Sequence, residues 1–283
     1  MPRTLRDSIV LITGASAGIG RALAIELHRR GAKLAHAARR LDRLEMLVAE
    51  LGGDHLTLKA DVAIAADCVR IVDQTVRHFG RLDTLVCNAG YGLVRRVHEM
   101  SEAELLAIFR TNVVGTNECI RAAVSLIKQN EIQNGYRGQI MIVSSAAARR
   151  GLPFLGAYAG TKAFQLSLAE AARVELQADK IAVTSVHPVG TDSDFLTAAE
   201  SLSGAKIDVP GRRGMHQTAE LVARKMADAI ERPRAELWPH RMSRYGLSLA
   251  TLWPTLGDRL MRKSLKEIEA KQRAEAAAKP LSC

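Results

Sequence analysis

Tyr158 and Lys162 stand four residues apart within Ala157–Ala178, a stretch whose pattern predicts a long helix. On a helix, positions i and i+4 share a face. A free tyrosine, with a pKa of about 10, is a poor base at neutral pH. A nearby ammonium favours the phenolate and brings the group closer to working pH as a general acid/base. Such a pair suits the interconversion of a carbonyl and an alcohol. There the forming alkoxide needs a proton donor, and the reverse reaction needs a base. The plain alternative is an ordinary exposed pair on a solvated helix.

A second group with chemical content is the turn Thr13-Gly14-Ala15-Ser16-Ala17-Gly18-Ile19-Gly20. Glycine allows backbone angles closed to other residues and lets a pyrophosphate approach the main chain. A helix opening near Gly18 presents unpaired amides and the positive end of its dipole to that phosphate. A simple tight turn would use the same glycines, but placement directly after a buried strand favours a dinucleotide site. At the end of the second strand, Ala37-Ala38-Arg39-Arg40 stands where an NAD site usually carries an acid. An arginine can grip a 2′-phosphate through two parallel bonds, and Ser16 can add a hydroxyl. The cofactor predicted is NADP(H); the alternative is two solvated arginines.

These residues need a scaffold, and the chain's pattern supplies one. Strands are predicted at Ser8–Thr13, Lys33–Ala38, His55–Ala60, Leu82–Asn88, Gln139–Ser144 and Ile181–His187, with a short seventh at Arg234–Trp238. Helices are predicted at Arg21–Arg30, Leu41–Leu51, from the third strand's end to Phe79, from a capping box at Ser101 and Glu104 to Gln133 with a break, and at Ala157–Ala178. Strand–helix alternation of this kind predicts an α/β fold, a doubly wound parallel sheet of about seven strands with helices on both faces. Residues 1–240 form one dinucleotide-binding and catalytic domain, and 241–283 a C-terminal extension that is apolar at first and then a charged helical tail.

Composition narrows the function. The 283 residues are 47% hydrophobic and only 4% aromatic, which suits parallel strands covered by helices. The net charge of +10 is not matched by basic runs interleaved with aromatics or by zinc-finger spacing, so no nucleic-acid partner is predicted. Cys68, Cys87, Cys119 and Cys283 form no metal-ligand spacing, and His98 and His187 have no partner for a metal. No metal is predicted. The start lacks a secretory apolar region, and no apolar run approaches the roughly 20 residues that span a bilayer, so a cytoplasmic location is expected.

Together the motifs resemble the short-chain dehydrogenase/reductase family over residues 8 to 200. Besides the glycine turn, the resemblance runs through Asp61-Val62, Asn88-Ala89-Gly90, Asn112-Val113-Val114-Gly115, Ser144-Ser145 and Tyr158-Ala159-Gly160-Thr161-Lys162. It implies that Asn112, Ser145, Tyr158 and Lys162 are the catalytic four. Ser145 is preferred to Ser144 because it lies thirteen residues before Tyr158, the family's usual spacing. In that arrangement Ser145 donates to the substrate oxygen and Lys162 holds the nicotinamide ribose. Asn112 pins a water that links Lys162 to solvent, although a buried Asn can also simply tie a helix to backbone. Asp61 takes the adenine amino group with Val62 beside the ring, and Asn88, Ala89 and Gly90 line the cofactor. The resemblance further implies a small carbonyl or alcohol substrate and a homodimer or homotetramer that pairs the helices around 101–133 and 157–178.

The sequence departs from the family after the sixth strand. Val189 stands in place of the usual glycine, between Pro188 and Gly190. Pro188, Gly190, Thr191 and Ser193 are the candidates for the nicotinamide amide, and residues 192–215 for a substrate loop lined by Phe195 and Leu196. Arg95/Arg96 and Arg149/Arg150 read as solvated loop residues. In the extension, apolar Tyr245–Leu256 is flanked by Arg241, Arg244, Arg259, Arg262 and Lys263. Packing against the substrate loop or a second subunit is the favoured expectation. A membrane surface contacted through 241–263 is the alternative.

Overall fold

The computed structural model describes residues 2–192, 217–259, 261–263, 265 and 266. Ser193, Phe195 and Leu196, most of the expected substrate loop, and the tail beyond 266 lie outside the described residues. The elements are β1 (Ile9–Thr13), α1 (Gly18–Arg29), β2 (Lys33–Ala38), α2 (Leu41–Leu51), β3 (His55–Lys59), α3 (Ala65–Phe79), β4 (Thr84–Cys87), α4 (Glu102–Phe109) and α5 (Gly115–Ile127). They continue with β5 (Gly138–Val143), α6 (Gly156–Glu175), β6 (Ile181–Val186), the two-residue strands β7 (Thr191–Asp192) and β8 (Gln217–Thr218), α7 (Ala219–Glu231), β9 (Glu236–Leu237) and α8 (Arg241–Leu252).

Seven strands form one sheet in the order β3-β2-β1-β4-β5-β6-β9. Every pairing is parallel. This is the doubly wound sheet expected from the sequence. Strand side chains alternate between its faces, so each strand feeds two cores. Val10 and Ile12 of β1 pack with Leu23 and Leu27 of α1 and with Val222 and Met226 of α7. Leu11 points the other way, toward Ile71 and Val72 of α3 and Ile120 and Ile127 of α5. Burial on both faces explains why the strands read as unbroken apolar runs. The strand order reverses between β1 and β4, and in such sheets ligands bind in the crevice at the carboxyl ends of those strands.

The helix expected to run from Ser101 to Gln133 is divided. Its capping box is present: Glu104 N donates to Ser101 Oγ at 3.2 Å, and Ser101 N to Glu104 Oε2 at 3.0 Å. A π-helical turn, Arg110–Val114, then joins α4 to α5. Helix α5 stops at Ile127, and Asn134 and Gly135, at φ of 51° and 88°, turn the chain toward β5. Helix α6 ends three residues early because Lys180, at φ 58°, swings the chain into β6.

Helix α8 lies over the 3₁₀ turn Ala146–Arg149 that follows β5. The arginines expected to be solvated fasten it there. Arg150 donates to Ala250 O at 2.9 Å and Pro254 O at 3.1 Å and pairs with Asp258. Arg149 bonds Glu236 at 2.7 Å, while its carbonyl accepts from Thr251 Oγ1 at 3.1 Å. Arg95 likewise pairs with Glu104, and Arg96 lies over the Phe154 ring. Met242, Tyr245, Leu249 and Leu252 of α8 are left exposed. No helix among the described residues is long and apolar enough to cross a membrane.

Candidate active site

The ends of β1 and β4 are laced together beneath the glycine turn. Thr13 Oγ1 accepts from Asn88 N at 3.0 Å and Ala89 N at 3.1 Å. Asn88 Nδ2 donates to Thr13 O at 2.9 Å and Gly14 O at 3.2 Å. Gly14 has φ 69°, and a Cβ there would lie 2.9 Å from Ala89 Cα; a Cβ on Gly20 would lie 2.4 Å from Gly14 O. These two glycines let the turn fold onto β4, and the Asn88 amide is engaged in holding it there. Helix α1 begins at Gly18 with no side-chain cap from Ala17 and no acidic residue in its first turn. Its free amides and dipole fit an anionic pyrophosphate.

Beyond β2, Arg40 Nη2 donates to Ser16 Oγ at 3.0 Å, so one basic side chain already reaches across to the glycine turn. Arg39 beside it is exposed. At the end of β3, Asp61 Oδ1 accepts from Ala63 N at 3.0 Å, and Val62 is buried under Gly115.

The structure separates the two adjacent serines. Ser144 Oγ is turned inward and donates to Lys162 O at 2.7 Å. Ser145 faces Tyr158, close enough to favour its phenolate, and its Oγ accepts from Ala147 N at 3.1 Å. The loop carrying Ser145 is held from β6: Ala146 N donates to Pro188 O at 2.9 Å, and His187 Nδ1 donates to Ser145 O at 3.2 Å. His187 Nε2 accepts from Ser185 Oγ at 3.0 Å, and the ring stacks on Trp238 with centroids 4.4 Å apart. Burial pulls His187 down to about 4, which keeps the ring neutral and in this one tautomer. Periodicity marks His187 only as the end of a buried strand and assigns it no role.

Lys162 is buried on the same helix as Tyr158, with Nζ 5.7 Å from the centroid of the phenol ring. The ammonium donates to Val143 O and to Gln165 Oε1, each at 2.9 Å. Burial pulls Lys162 down to about 7. Burial likewise pushes Tyr158 up to about 12, only partly offset by Ser145. The lowering of the tyrosine expected from the i, i+4 spacing is therefore reversed in the protein alone: desolvation outweighs a lysine that is directed at β5 and Gln165.

Asn112 sits fully buried in the π-helical turn. Its side chain accepts from Tyr91 N and donates to Tyr91 O and Thr161 Oγ1, all at 3.0 Å. Its carbonyl accepts from Thr116 Oγ1 at 2.8 Å and Gln165 Nε2 at 2.7 Å. Gly90 closes the group, since a Cβ there would lie 3.0 Å from Asn112 Oδ1 and 3.6 Å from Lys162 Nζ. Asn112, Ser145, Tyr158, Lys162 and Gly90 thus converge at the carboxyl end of the sheet. Thr161 and Gln165, which the sequence reading passed over, bind them from within. Downstream, Thr191 Oγ1 donates to Val189 O at 2.9 Å and Gly190 O accepts from Gln217 N at 3.3 Å. Among the described residues Cys68, Cys87 and Cys119 are buried free thiols, and no cluster that could hold a metal occurs.

The sequence model of the short chain dehydrogenase family matches residues 8–202. The 11-beta-hydroxysteroid dehydrogenase 1A of Arabidopsis thaliana is 40% identical over 205 residues, covering 71% of this chain and 56% of that protein. The chain thus matches little more than half the length of that relative. An uncharacterized oxidoreductase of Bacillus subtilis (strain 168), YxnA, is 31% identical over 284 residues, 98% of this chain and 77% of that one. Among solved structures, the 3-ketoacyl-(acyl-carrier-protein) reductase from Brucella melitensis complexed with NADH matches with a TM-score of 0.74 at 27% identity, over 83% of this chain and 97% of that one. The alcohol dehydrogenase from Thermococcus sibiricus complexed with 5-hydroxy-NADP gives 0.68 at 28% identity, over 82% and 95%. The family match over more than half of the chain, on a sheet of this order, makes the protein a member of the short chain dehydrogenase family.

Proposed function

We propose that this chain is an NADP(H)-dependent oxidoreductase acting on a ketone, aldehyde or secondary alcohol, with Tyr158 as general acid/base. The observation that carries the reading is Ser145 set against Tyr158 beside buried Lys162, at the crevice where the strand order reverses. NADP(H), when bound, supplies or takes up the hydride. The uncapped amides of α1 would hold its pyrophosphate, Arg39 and Arg40 with Ser16 its 2′-phosphate, Asp61 and Val62 its adenine, and Pro188, Gly190 and Thr191 its carboxamide. Ser145 donates to the substrate oxygen and fixes it, and Tyr158 Oη passes or takes the proton at that oxygen. Relatives named as hydroxysteroid dehydrogenases agree with an apolar alcohol or ketone as substrate.

Nicotinamide fluorescence on titration with NADPH and NADH tests the cofactor. NADPH binds more tightly, and Arg40→Ala and Arg39→Ala each weaken it by about 10–100-fold while leaving NADH binding unchanged. Equal affinity for the two cofactors in the unaltered protein would remove the 2′-phosphate assignment. The exposed apolar residues of α8 favour a second reading, work at an anionic lipid surface. Co-sedimentation with phosphatidylserine vesicles that is lost on removing residues 241–283 would support it, and no sedimentation of the full chain would refute it.

A further inference from the structure

Gln165 lies three residues beyond Lys162 on α6 and is fully buried. Its Oε1 accepts from Lys162 Nζ at 2.9 Å, and its Nε2 donates to Asn112 O at 2.7 Å and Thr116 Oγ1 at 2.9 Å. These partners fix the amide's orientation. The Asn112 carbonyl can only accept, and the Thr116 hydroxyl has already given its hydrogen to that carbonyl at 2.8 Å. Both therefore require the NH₂ end, and the oxygen must face the lysine. A flipped amide would set NH₂ against the ammonium and oxygen against a carbonyl.

The side chain thus joins Lys162 to the Asn112 carbonyl. We propose that Gln165 is a positioning residue of the active site: its amide ties Lys162 to Asn112 and supplies the acceptor that keeps the lysine charged beside Tyr158. This rests on the reading of Tyr158 and Lys162 as the catalytic pair.

The surroundings leave that acceptor few competitors. Strand β5 offers Lys162 the Val143 carbonyl, the loop after β4 brings Gly90, α6 itself brings Tyr158, and Asn112 of the π-helical turn is joined to it through Gln165. No acidic side chain among the described residues acts on Lys162, and burial has already drawn it down to about 7. Its charge near neutrality is therefore sensitive to a single hydrogen bond.

The test is a direct titration by NMR of protein labelled at lysine Cε and tyrosine Cζ, without cofactor, with assignments from Lys162→Met and Tyr158→Phe. Gln165→Met removes the acceptor and lowers the Lys162 midpoint by about one to two pH units. The Tyr158 midpoint, near 12, stays where it is, because Lys162 is already neutral when the phenol titrates. Gln165→Glu sets a carboxylate at the same place and raises the Lys162 midpoint. Should one variant not fold, the other decides. An unchanged Lys162 midpoint in a folded variant overturns the proposal. Turnover of a ketone and aldehyde panel that survives Tyr158→Phe would instead overturn the underlying assignment, whatever the titrations of Gln165 variants give.

Discussion

Tyr158 is held on the acid side of its titration. With the phenol pushed up to about 12, it carries its proton throughout the neutral range and is a ready donor to a forming alkoxide. Carbonyl reduction should therefore not be limited by the Tyr158 proton at neutral pH, and should fall only as Lys162, drawn down to about 7, loses its charge. Alcohol oxidation, which needs the phenolate, should rise as pH increases. Tyr158→Phe is expected to lower kcat/KM in both directions by about 10²–10⁴-fold with NADPH binding retained. Steady-state kinetics across pH check both statements, and oxidation that does not vary with pH would contradict the assignment of the base. The pairing of Tyr158 with Lys162 was legible because i, i+4 geometry is local. The environment that sets their protonation was not, because Val143, Asn112 and Gly90 are brought to Lys162 from distant parts of the chain. Asn88 and Thr13 show the same limit: the sequence marks the strand ends, but only the fold reveals that these side chains lace β1 to β4.

The elements were easier to read than their ends. Helix α2 occupies the span its apolar spacing predicts, Leu41–Leu51, and the capping box at Ser101 and Glu104 starts α4 as expected. The π-helical turn was illegible in detail because the apolar pattern runs straight through it. Gly115, which opens α5 directly after the turn, packs against Val62 beyond the end of β3. A Cβ at Gly115 would lie 2.5 Å from Val62 O and 2.9 Å from Val62 Cβ, although the backbone there is ordinary helix at φ −59°. The obstacle is steric and cannot be relieved by a rotamer change alone. Gly115→Ala should therefore push α5 off Val62, displace Asn112 three residues earlier, and cost about 1–3 kcal/mol of stability together with turnover. Gly151→Ala is the control, since a Cβ there meets nothing within 4 Å. Urea midpoints that fall equally for both would mean that Gly115 is not required for close approach.

At the scale of the whole molecule, two buried histidines tie stability to pH. His36, in the middle of β2, has both ring nitrogens buried without a hydrogen-bond partner and stands edge-on to His55, 5.6 Å between centroids. Burial, aided by His55 and His28, draws it down to about 3. His187 is drawn to about 4, chiefly by burial, where it braces the Ser145 loop. In the unfolded chain both titrate near 6.5. Above that pH both states hold the rings neutral, and the fold keeps its full stability. As pH falls below about 6.5 the unfolded chain takes up protons that the folded one refuses, so stability declines until the folded values are reached. Each ring should then remove about 2 kcal/mol by pH 5, a large share of a typical domain's 5–15 kcal/mol. His36→Leu removes one of the two groups and a buried ring with nothing to bond. Its denaturation midpoints, measured from pH 7 to pH 5, should fall with a shallower slope than those of the unaltered protein, the remainder coming from His187 and from His55, which burial also lowers. The same slope in both would mean that His36 is protonated in the folded state, its charge tolerated beside His55 and His28.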